Sequence, residues 1–445
     1  MTNQVTKGTV SPVTSAGFLR SWYTVILLMF GYFLAMLDRT ILPTMIGPIQ
    51  RDLHITDTQF GLLQGFAFAI FYCIAGIPLG WLADRWSRRN LIATGIALWS
   101  MATLLSAGSS TFTYLFLARI GVGVGEATLN PAAYSMMADL FPSNRLTTAV
   151  SVFTTGAMAG TGVAFVLGGE LVSLLAAHSG FQLPLVGHRT SWQVAFICAG
   201  APGLLLALLL ITIREPARAV SKGTNVDSHS ESLAALIHFL KENRASLTLY
   251  FAGFSCLNMT LYGFITWTPA LFLRVYHFRP ATVGVSIGTA LAGCGISGLL
   301  VGGALADHWI HAGKRGAHIR VATIAMAAAL PFAILLSLSS TALPGFIALA
   351  GLFFCLLLPS GAGPAGLQLM TPPLLRGRIS AIFMMIINLA GLGLGPLIVG
   401  LLTDHLFHNV LAVGHSLCVL SLLVMPLSVI IFRSAHLRAR RLTSC

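Results

Sequence analysis

Residues 80–86 read GWLADRW and residues 303–309 read GALADHW, so one short pattern occurs in both halves of the chain. The two copies agree at five of seven positions, and each closes a long apolar run. The whole chain of 445 residues is 56% hydrophobic and 9% charged, with a mean hydropathy of +0.84. Soluble globular proteins do not have this composition. The repeat therefore predicts a membrane protein built from two related halves.

Apolar runs long enough to cross a bilayer, roughly 20 residues each, recur along the whole chain. Lipid offers no partners to backbone amides, so every run is predicted to be a helix. The sequence thus predicts an all-α integral membrane fold of twelve transmembrane helices, arranged as two pseudo-symmetric six-helix bundles. The predicted spans are 22–49, 58–83, 90–109, 112–140, 146–176 and 191–213 in the first half, and 246–273, 281–309, 319–339, 343–371, 377–403 and 409–432 in the second.

A polar segment, residues 214–245, separates the sixth span from the seventh. It divides the chain into an N-terminal bundle, residues 1–213, a cytoplasmic linker, and a C-terminal bundle, residues 246–445. Within the linker, the stretch SLAALIHFL is flanked by charged residues, which predicts a short amphipathic helix lying on the membrane surface.

The formal charge of +13 raises the question of nucleic-acid binding, but the positions of the 26 Lys and Arg explain it differently. Twenty lie on the side of the predicted spans that holds both termini, and four lie on the other side. This asymmetry follows the positive-inside rule with both termini cytoplasmic. The first span is longer than a cleavable signal peptide and carries a charge pair. We expect a multi-pass protein of a bacterial inner (plasma) membrane with no nucleic-acid partner.

The stretch GWLADRWSRR, residues 80–89, ends the second predicted helix with an aspartate beside several arginines. A glycine lets a neighbouring helix approach closely, and an aspartate at a helix end accepts charge-assisted hydrogen bonds. Such contacts form a conformational latch that is made in one state and broken in another. The predicted latch residues are Gly80, Asp84, Arg85, Arg88, Arg89 and, in the second copy of the repeat, Asp307.

This stretch resembles the signature loop of the major facilitator superfamily, although Ser87 stands where the usual pattern has a second glycine. The resemblance implies a secondary carrier that works by alternating access. It also implies that the first and fourth helices line a central cavity. The latch on the cytoplasmic side is then expected to favour the outward-open state.

Four charged residues lie inside the first and fourth predicted spans. GYFLAMLDRTILP, residues 31–43, contains Asp38 and Arg39, and ARIGVGVGEATLNPAA, residues 118–133, contains Arg119 and Glu126. The two charges of the fourth span are two turns apart and share a helix face, whereas the adjacent pair points about 100° apart. An isolated charge in a membrane costs on the order of 3 kcal/mol, so pairing is favoured. We infer that Arg39 faces Glu126, while Asp38 contacts Arg119 or remains a titratable group on the cavity wall.

This cluster predicts substrate binding and proton coupling. Arg39 and Arg119, with Glu126, are the candidates for binding an anion, and Asp38 and Glu126 are the candidates for carrying a proton. The alternative is a static ionic lock, which apolar packing would replace at lower cost. On the sequence alone, Asp38→Asn is expected to abolish proton-coupled transport without unfolding the protein.

The same region has a narrower resemblance. LDRT at 37–40, GLLQ at 61–64, RIGVGVGEA at 119–127 and DLFPSNR at 139–145 together look like the Spinster family. The resemblance covers residues 37–170, and the second half resembles facilitators only in general. It implies an amphipathic anionic substrate that is lysolipid or sphingolipid-like, membrane lipid as a partner, and proton transfer at Asp38.

A lipid-like substrate needs an apolar wall beside its cationic site. Candidates in the seventh and tenth spans are Phe254, Tyr262, Phe264, Trp267, Phe353, Phe354 and Met370. Such side chains in membrane helices usually pack or face lipid, so only Asn258 and Tyr262 are kept as substrate-binding candidates. Glu170 and Asp404, near the outer ends of helices, are interpreted as ordinary solvated carboxylates.

The zinc-protease pattern HExxH and the phosphate-binding pattern GxxxxGKS are absent from the sequence. We predict a protein that is not an enzyme, binds no metal, uses no cofactor apart from the coupling proton, and is a monomer. Two alternatives stay open. One is a carrier of a small organic anion or sugar acid, for which an apolar wall is superfluous, and the other is a non-transporting membrane sensor.

Overall fold

Helices form nearly all of the chain that the computed structural model describes, namely residues 15–176, 181–183, 187–216, 228–314, 316–339, 341–372 and 375–441. The first half contains α1 (Ser15–Thr44), α2 (Ile46–Leu53), α3 (Asp57–Gly61), α4 (Ala67–Arg85), α5 (Arg88–Ser106), α6 (Phe112–Glu126), α7 (Leu129–Leu140), α8 (Ser143–Ala176) and α9 (Ser191–Leu210). The helix α10 (Ser228–Glu242) lies in the segment predicted to be the linker and covers its predicted amphipathic stretch.

The second half contains α11 (Arg244–Arg274), α12 (Pro280–Ala290), α13 (Ile296–His311), α14 (Ala317–Leu338), α15 (Ala342–Leu357), α16 (Pro359–Met370), α17 (Arg376–Asn388), α18 (Gly395–Leu401) and α19 (Val413–Arg441). Short π-helical turns join successive segments into longer helices. They lie at Leu62–Phe66, Leu291–Gly295, Leu389–Leu394 and Leu402–Leu406, and a 3₁₀ turn at Val410–Ala412 precedes α19.

Among the described residues, eleven helices are long and apolar enough to cross a membrane, which confirms an all-α membrane fold. They correspond to eleven of the twelve predicted spans. The remaining predicted span corresponds to α5, which has 19 residues and begins with two arginines.

The helix α5 nevertheless runs the full depth of the first half beside α9. At its start, Arg89 Nη1 donates to the backbone oxygen of Ile213, just beyond the end of α9. Just beyond the end of α5, the backbone oxygen of Ser109 accepts a hydrogen bond from Gln193 Nε2, which lies near the start of α9. Because α9 is one of the eleven spanning helices, its antiparallel neighbour α5 supplies the twelfth crossing.

A small β-ribbon is the only strand pairing among the described residues. The strands β1 (Phe181–Leu183) and β2 (Gly187–Arg189) pair antiparallel, with Phe181 opposite Arg189. The sequence analysis predicted only helices. The ribbon lies between α8 and α9, outside every predicted span, where backbone amides can have partners other than those of a helix.

Alternating helix directions give the bundle two ends. We call the end that holds the start of α1 and the end of α19 the terminal face. The opposite face holds the end of α1, the start of α3 and the end of α11. The halves meet along several helix pairs, among them α8 with α12 and α1 with α11.

Candidate substrate-binding site

The structure brings the four predicted charges together between α1 and α6. Arg39 Nε lies 2.6 Å from Glu126 Oε2, and Arg119 Nη1 lies 3.4 Å from Asp38 Oδ1. Glycines between the two α6 charges allow a close neighbour, because a Cβ at Gly123 would lie 2.7 Å from the backbone oxygen of the facing α4 helix. The pairing inferred from the sequence is confirmed, including contact of Asp38 with Arg119.

Both oxygens of Asp38 are engaged. Thr103 of α5 donates its hydroxyl to Asp38 Oδ2 at 2.6 Å, while Arg119 reaches Oδ1. The carboxylate is 2% exposed and Thr103 is 1% exposed. Sequence reasoning missed Thr103. The available signal was the row of small hydroxyl side chains in an otherwise apolar span, at Ser100, Thr103 and Ser106.

Glu126 is bound on one side only. Its Oε2 accepts from Arg39, whereas its Oε1 is buried without a hydrogen-bond partner among the described residues. Its side chain has no solvent exposure, while the side chain of Arg39 keeps 15%. Arg39 is therefore the cation of the cluster that a ligand can reach.

Aromatic rings hold the Arg39 guanidinium in place. Its central carbon lies 4.3 Å from the ring centroid of Phe68 and 4.8 Å from that of Tyr72. Stacking of this kind favours an arginine over a lysine and leaves the guanidinium edge free for hydrogen bonds. The side-chain amide of Gln64 donates to the backbone oxygen of Arg39 at 3.1 Å, which fixes the backbone at the same point.

The second half contributes Tyr262 to this region. Tyr262 packs against the hydrophobic core of the first half and lies within electrostatic range of Arg39 and Tyr72. The other candidate from α11 is placed differently. Asn258 donates its amide to the backbone oxygen of Phe254, one turn back in its own helix. The structure thus brings Tyr262 to the charge cluster, and no contact of Asn258 with the four charges appears among the described residues.

A second charged site closes the opposite face between the two halves. Arg274, at the end of α11, donates to both oxygens of Asp57 at 2.7 and 2.8 Å, and to Gln50 Oε1 at 2.7 Å. Gln50 in turn donates to Asp57 at 2.6 Å. Asp57 is 1% exposed. A buried bidentate pair of this kind is geometrically specific and joins one half to the other.

Asp404 strengthens the same closure from the second half. Its Oδ2 accepts from the backbone amide of Thr58 at 2.6 Å, in the first turn of α3. The interpretation of Asp404 as a merely solvated carboxylate was therefore wrong, because helix N-termini attract carboxylates and this one lies across the interface. We call Gln50, Asp57, Arg274 and Asp404 the opposite-face gate.

Below the opposite-face gate, helices of the two halves touch through their backbones. A Cβ at Gly65 would lie 2.3 Å from the backbone oxygen of Leu392, and one at Gly400 would lie 2.5 Å from that of Asp57. Real Cβ atoms do not approach so closely, so the crossing depends on glycine. On the far side of the bundle, a Cβ at Gly284 of α12 would lie 2.1 Å from Phe165 of α8.

Toward the terminal face, several glycines of the two halves have no close neighbour in the described part of the chain. A Cβ at Gly76, Gly80 or Gly303 would meet no heavy atom within 4 Å among the described residues. The close helix approach predicted at Gly80 is not made in this conformation, and it stays a prediction for the state in which the latch forms. Contacts of charged groups between the two halves lie instead at the opposite-face gate.

Arg88, a predicted latch residue, is paired with a residue of its own half and with one at the start of the linker. It forms ion pairs with Asp139 and with Glu215, the latter at 2.9 Å, and is 1% exposed. Burial by itself would raise the pKa of Glu215. Hydrogen bonds from the amides of Arg89 and Arg88, the Arg88 guanidinium and the Ser87 hydroxyl outweigh burial and hold this pKa below its usual range.

The remaining latch residues make few contacts in this state. The guanidinium of Arg85 stacks on Trp81 with its central carbon 3.9 Å from the ring centroid. Arg89 contacts the end of the α9 segment, again inside the first half. Asp307 is exposed. The side chain of Asp84 lies outside the described residues, so the latch itself stays a prediction.

Catalytic and metal chemistry find little support in the described part of the chain. No group of three or more His, Cys, Asp or Glu there is placed to hold a metal ion. GVSIG, residues 284–288, matches the spacing of a serine-hydrolase motif, but it lies within α12. Ser286 donates its hydroxyl to the backbone oxygen of Thr282 in the same helix, and a nucleophile elbow requires a strand-to-helix turn instead.

Comparison with known proteins agrees with this architecture. The family profile described as Major Facilitator Superfamily matches residues 28–391. The chain belongs to the major facilitator superfamily. It is accordingly a multi-pass membrane transporter rather than an enzyme.

Three relatives cover most of the chain. An MFS-type efflux pump of Mycolicibacterium smegmatis is 29% identical, covering 95% of this chain and 94% of its own. Protein spinster homolog 1 of Xenopus laevis is 26% identical, covering 88% and 75%. A probable galactarate/D-glucarate transporter of Bacillus subtilis is 28% identical, covering 68% of each. These relatives include the Spinster group to which the sequence bears its narrower resemblance.

The fold also matches solved structures. A bacterial homolog of the human lysosomal transporter Spinster, described as inward-facing and occupied, aligns with a TM-score of 0.78 at 23% identity. The alignment covers 94% of this chain and 97% of that one. The likeness extends over both halves, so the second half shares the fold as well as the first.

Proposed function

We propose that this facilitator is a proton-coupled carrier that binds an organic anion at Arg39 and moves it by alternating access. The observation that carries the proposal is the Arg39–Glu126 pair. It combines a partly reachable cation with a buried carboxylate that keeps one oxygen unpaired. A permanent structural bridge would be expected to satisfy both partners, as the Asp38 site nearly does.

Competition for Arg39 links the anion to the proton. An entering carboxylate or phosphate that binds the Arg39 guanidinium takes the place of Glu126. A buried carboxylate that loses its cation is strongly destabilised as an anion, so Glu126 takes up a proton. The anion and the proton therefore occupy the site together, and the carrier works as a symporter. Asp38 retains Thr103 and Arg119 during this exchange.

Alternating access would come from opening and closing the two faces of the bundle in turn. In the observed conformation the opposite-face gate is closed, and a Cβ at Gly80 or Gly303, toward the terminal face, would meet no heavy atom within 4 Å among the described residues. With both termini cytoplasmic, as the positive-inside rule indicates, this is an inward-facing state of an inner-membrane protein. Rocking of the halves would break the opposite-face gate and bring the predicted latch residues Gly80 and Asp84 against the second half.

The burial of Phe254, Phe264 and Phe353 in the predicted apolar wall favours a small anion over a long-chain amphipath. Phe254 is 3% exposed, and Phe264 and Phe353 are 0% exposed. Phe254 packs against aromatic rings of its own half, including Phe383. These side chains fill the core of the second half and so leave little apolar surface for an acyl chain beside Arg39. A lysolipid or sphingolipid-like substrate, implied by the Spinster resemblance, remains the competing class.

Transport by purified protein in proteoliposomes tests the proposal. We expect a pH gradient, acid outside, to drive uptake of organic anions, and we expect little uptake of lysophospholipids. Glu126→Gln cannot titrate but keeps hydrogen-bonding capacity. It should lose stimulation by the pH gradient while retaining exchange of labelled for unlabelled anion. Asp38→Asn, run in the same assay, tests the expectation drawn from the sequence.

The matched control is Glu170→Gln, which removes an exposed carboxylate from another membrane helix and should behave like the wild type. Uptake in Glu126→Gln that still responds fully to the gradient would contradict the proposed exchange. Anion binding without any flux in the wild type would favour a sensor.

A further inference from the structure

Two side-chain amides beside Arg39 have hydrogen-bonding atoms without partners. Gln64 donates its nitrogen to the backbone oxygen of Arg39, and its Oε1 is buried and unpaired among the described residues. Asn130 donates its nitrogen to the Tyr72 hydroxyl at 3.3 Å, and its Oδ1 is likewise buried and unpaired. Gln64 is 8% exposed. Neither amide has a role in the exchange between Arg39 and Glu126.

These amides belong to the same site, because a chain of contacts connects them. Gln64 touches Arg39 directly, and the Tyr72 ring that Asn130 contacts stacks on the Arg39 guanidinium. Asn130 also lies four residues beyond Glu126, across the break between α6 and α7. The unpaired Oε1 of Glu126 adds a third acceptor to the group.

Leaving such atoms unpaired in a buried site is costly, and most buried polar groups in proteins have a partner. An apolar ligand cannot supply one. A hydroxyl group can, because it donates to an oxygen and also accepts from a nitrogen. The match therefore holds whichever way each amide is oriented. Gln64 and Asn130 thus suit hydroxyl groups held close to an anion on Arg39.

We propose that Gln64 and Asn130 select the substrate by binding its hydroxyl groups, so that the transported anion is a small polyhydroxylated acid. This inference rests on the proposed anion site at Arg39 and adds the feature by which the site recognises its ligand. The carboxylate of the substrate binds Arg39, and hydroxyls on the neighbouring carbons bind the free amide oxygens of Gln64 and Asn130. An acid of equal length and charge without hydroxyls leaves both amide oxygens unpaired.

Uptake of galactarate and adipate into proteoliposomes tests this inference directly. The two have the same carbon chain and the same two carboxylates, and only galactarate carries hydroxyls. A site that loses two or more hydrogen bonds with adipate should prefer galactarate by at least about tenfold in transport efficiency. Gln64→Leu and Asn130→Leu should each reduce this preference severalfold, mainly by slowing galactarate and not adipate.

Gln368→Leu is the control, because Gln368 is an exposed amide near the terminal end of α16. It should leave the preference unchanged. Binding of adipate, measured by isothermal titration in detergent, verifies that the two site variants remain folded.

Several results would overturn the inference while leaving the proposed function intact. They are equal uptake of both acids by the wild type, a preference that survives both substitutions, and a parallel loss of both acids in the variants, which would mean that the amides are structural. Uptake of lysophospholipid alone would overturn both this inference and the preference for a small anion stated under the proposed function. Absence of any anion uptake would instead remove the proposed function on which the inference depends.

Discussion

The two faces of this carrier are built differently. At the opposite face, the halves are joined by a buried bidentate ion pair, by a carboxylate on a helix N-terminus and by helix crossings that only glycine permits. At the terminal face, Arg88 forms ion pairs with Asp139 of the first half and with Glu215 at the start of the linker, and a Cβ at Gly80 would meet no heavy atom within 4 Å among the described residues. The charged residues of the opposite-face gate thus join the two halves, whereas Arg88 joins the first half to the linker that follows it. The difference shows which contacts must break during transport.

A substitution at the Gly65 helix crossing is expected to have the largest effect on closure of the opposite face. A Cβ there would lie 2.3 Å from a backbone oxygen of the second half, and backbone cannot move aside as a side chain can. Overpacking costs typically 1–3 kcal/mol, or more when backbone must shift. We expect Gly65→Ala to keep the opposite face from closing and to reduce transport by about a hundredfold. Proteoliposome uptake measures this loss.

Gly47→Ala serves as the control for that substitution. Gly47 lies in α2 on the same face, and a Cβ there meets nothing within 4 Å among the described residues. Its uptake should equal that of the wild type. Normal uptake by Gly65→Ala would show that the close crossing is unimportant.

The ion pair of the opposite-face gate comes next. Arg274→Ala leaves Asp57 buried without its cation, which costs on the order of 3 kcal/mol and favours the open opposite face by about a hundredfold in population. Transport should fall less than in Gly65→Ala, because the helices can still meet. Spin labels at positions 51 and 411, both exposed on this face, should move apart in a background without native cysteines.

Arg279→Ala is the matched control for the ion pair. Arg279 is an exposed arginine five residues further along the chain, and the described residues include no partner for its side chain. The label distance in this variant should match that of the wild type. An unchanged distance in Arg274→Ala would mean that the ion pair does not hold the face closed.

The smallest expected effect is at the terminal face. The pKa of Glu215 is held below its unfolded value by hydrogen bonds, so ionised Glu215 stabilises the fold above roughly pH 4.3. This contribution is lost as the pH falls through the lower pKa of the folded state. Glu215→Gln should lower stability by about 1 kcal/mol at pH 7, a value reduced for solvent screening because the side chain is 29% exposed.

Thermal unfolding in detergent at several pH values measures this effect. The difference between Glu215→Gln and the wild type should shrink as the pH falls toward 3. A substitution of the exposed Glu242 (63% side-chain exposure) should show no such trend. A difference that does not depend on pH would argue against the ionised carboxylate as the stabilising group.

The four central charged residues could be predicted from the sequence, because a charged residue inside a membrane helix is itself unusual. Charges are rare in membrane helices, and the spacing of Arg119 and Glu126 places both on one face. The uncharged residues that surround these charges were harder to predict from the sequence. Thr103, Gln64 and Asn130 are uncharged, and such residues are common in membrane helices without a functional role. Their importance becomes visible only when the helices are packed.

The opposite-face gate was missed for a different reason. Asp57 and Arg274 are 217 residues apart, and neither lies in a motif that links the two halves. Pairing between halves depends on which conformation the chain adopts, and a sequence does not specify one. The same reason explains why the helix contact predicted at Gly80 is not made in this conformation.

Alternating access is the central claim, and paired distances in the wild-type protein test it most directly. One spin-label pair at positions 51 and 411 spans the opposite face, and a second at positions 19 and 369 spans the terminal face, all of them exposed sites. The account predicts that in lipid nanodiscs, with saturating anion at acidic pH, the first distance lengthens as the second shortens. Two distances that stay fixed, or that change in the same direction, would contradict it.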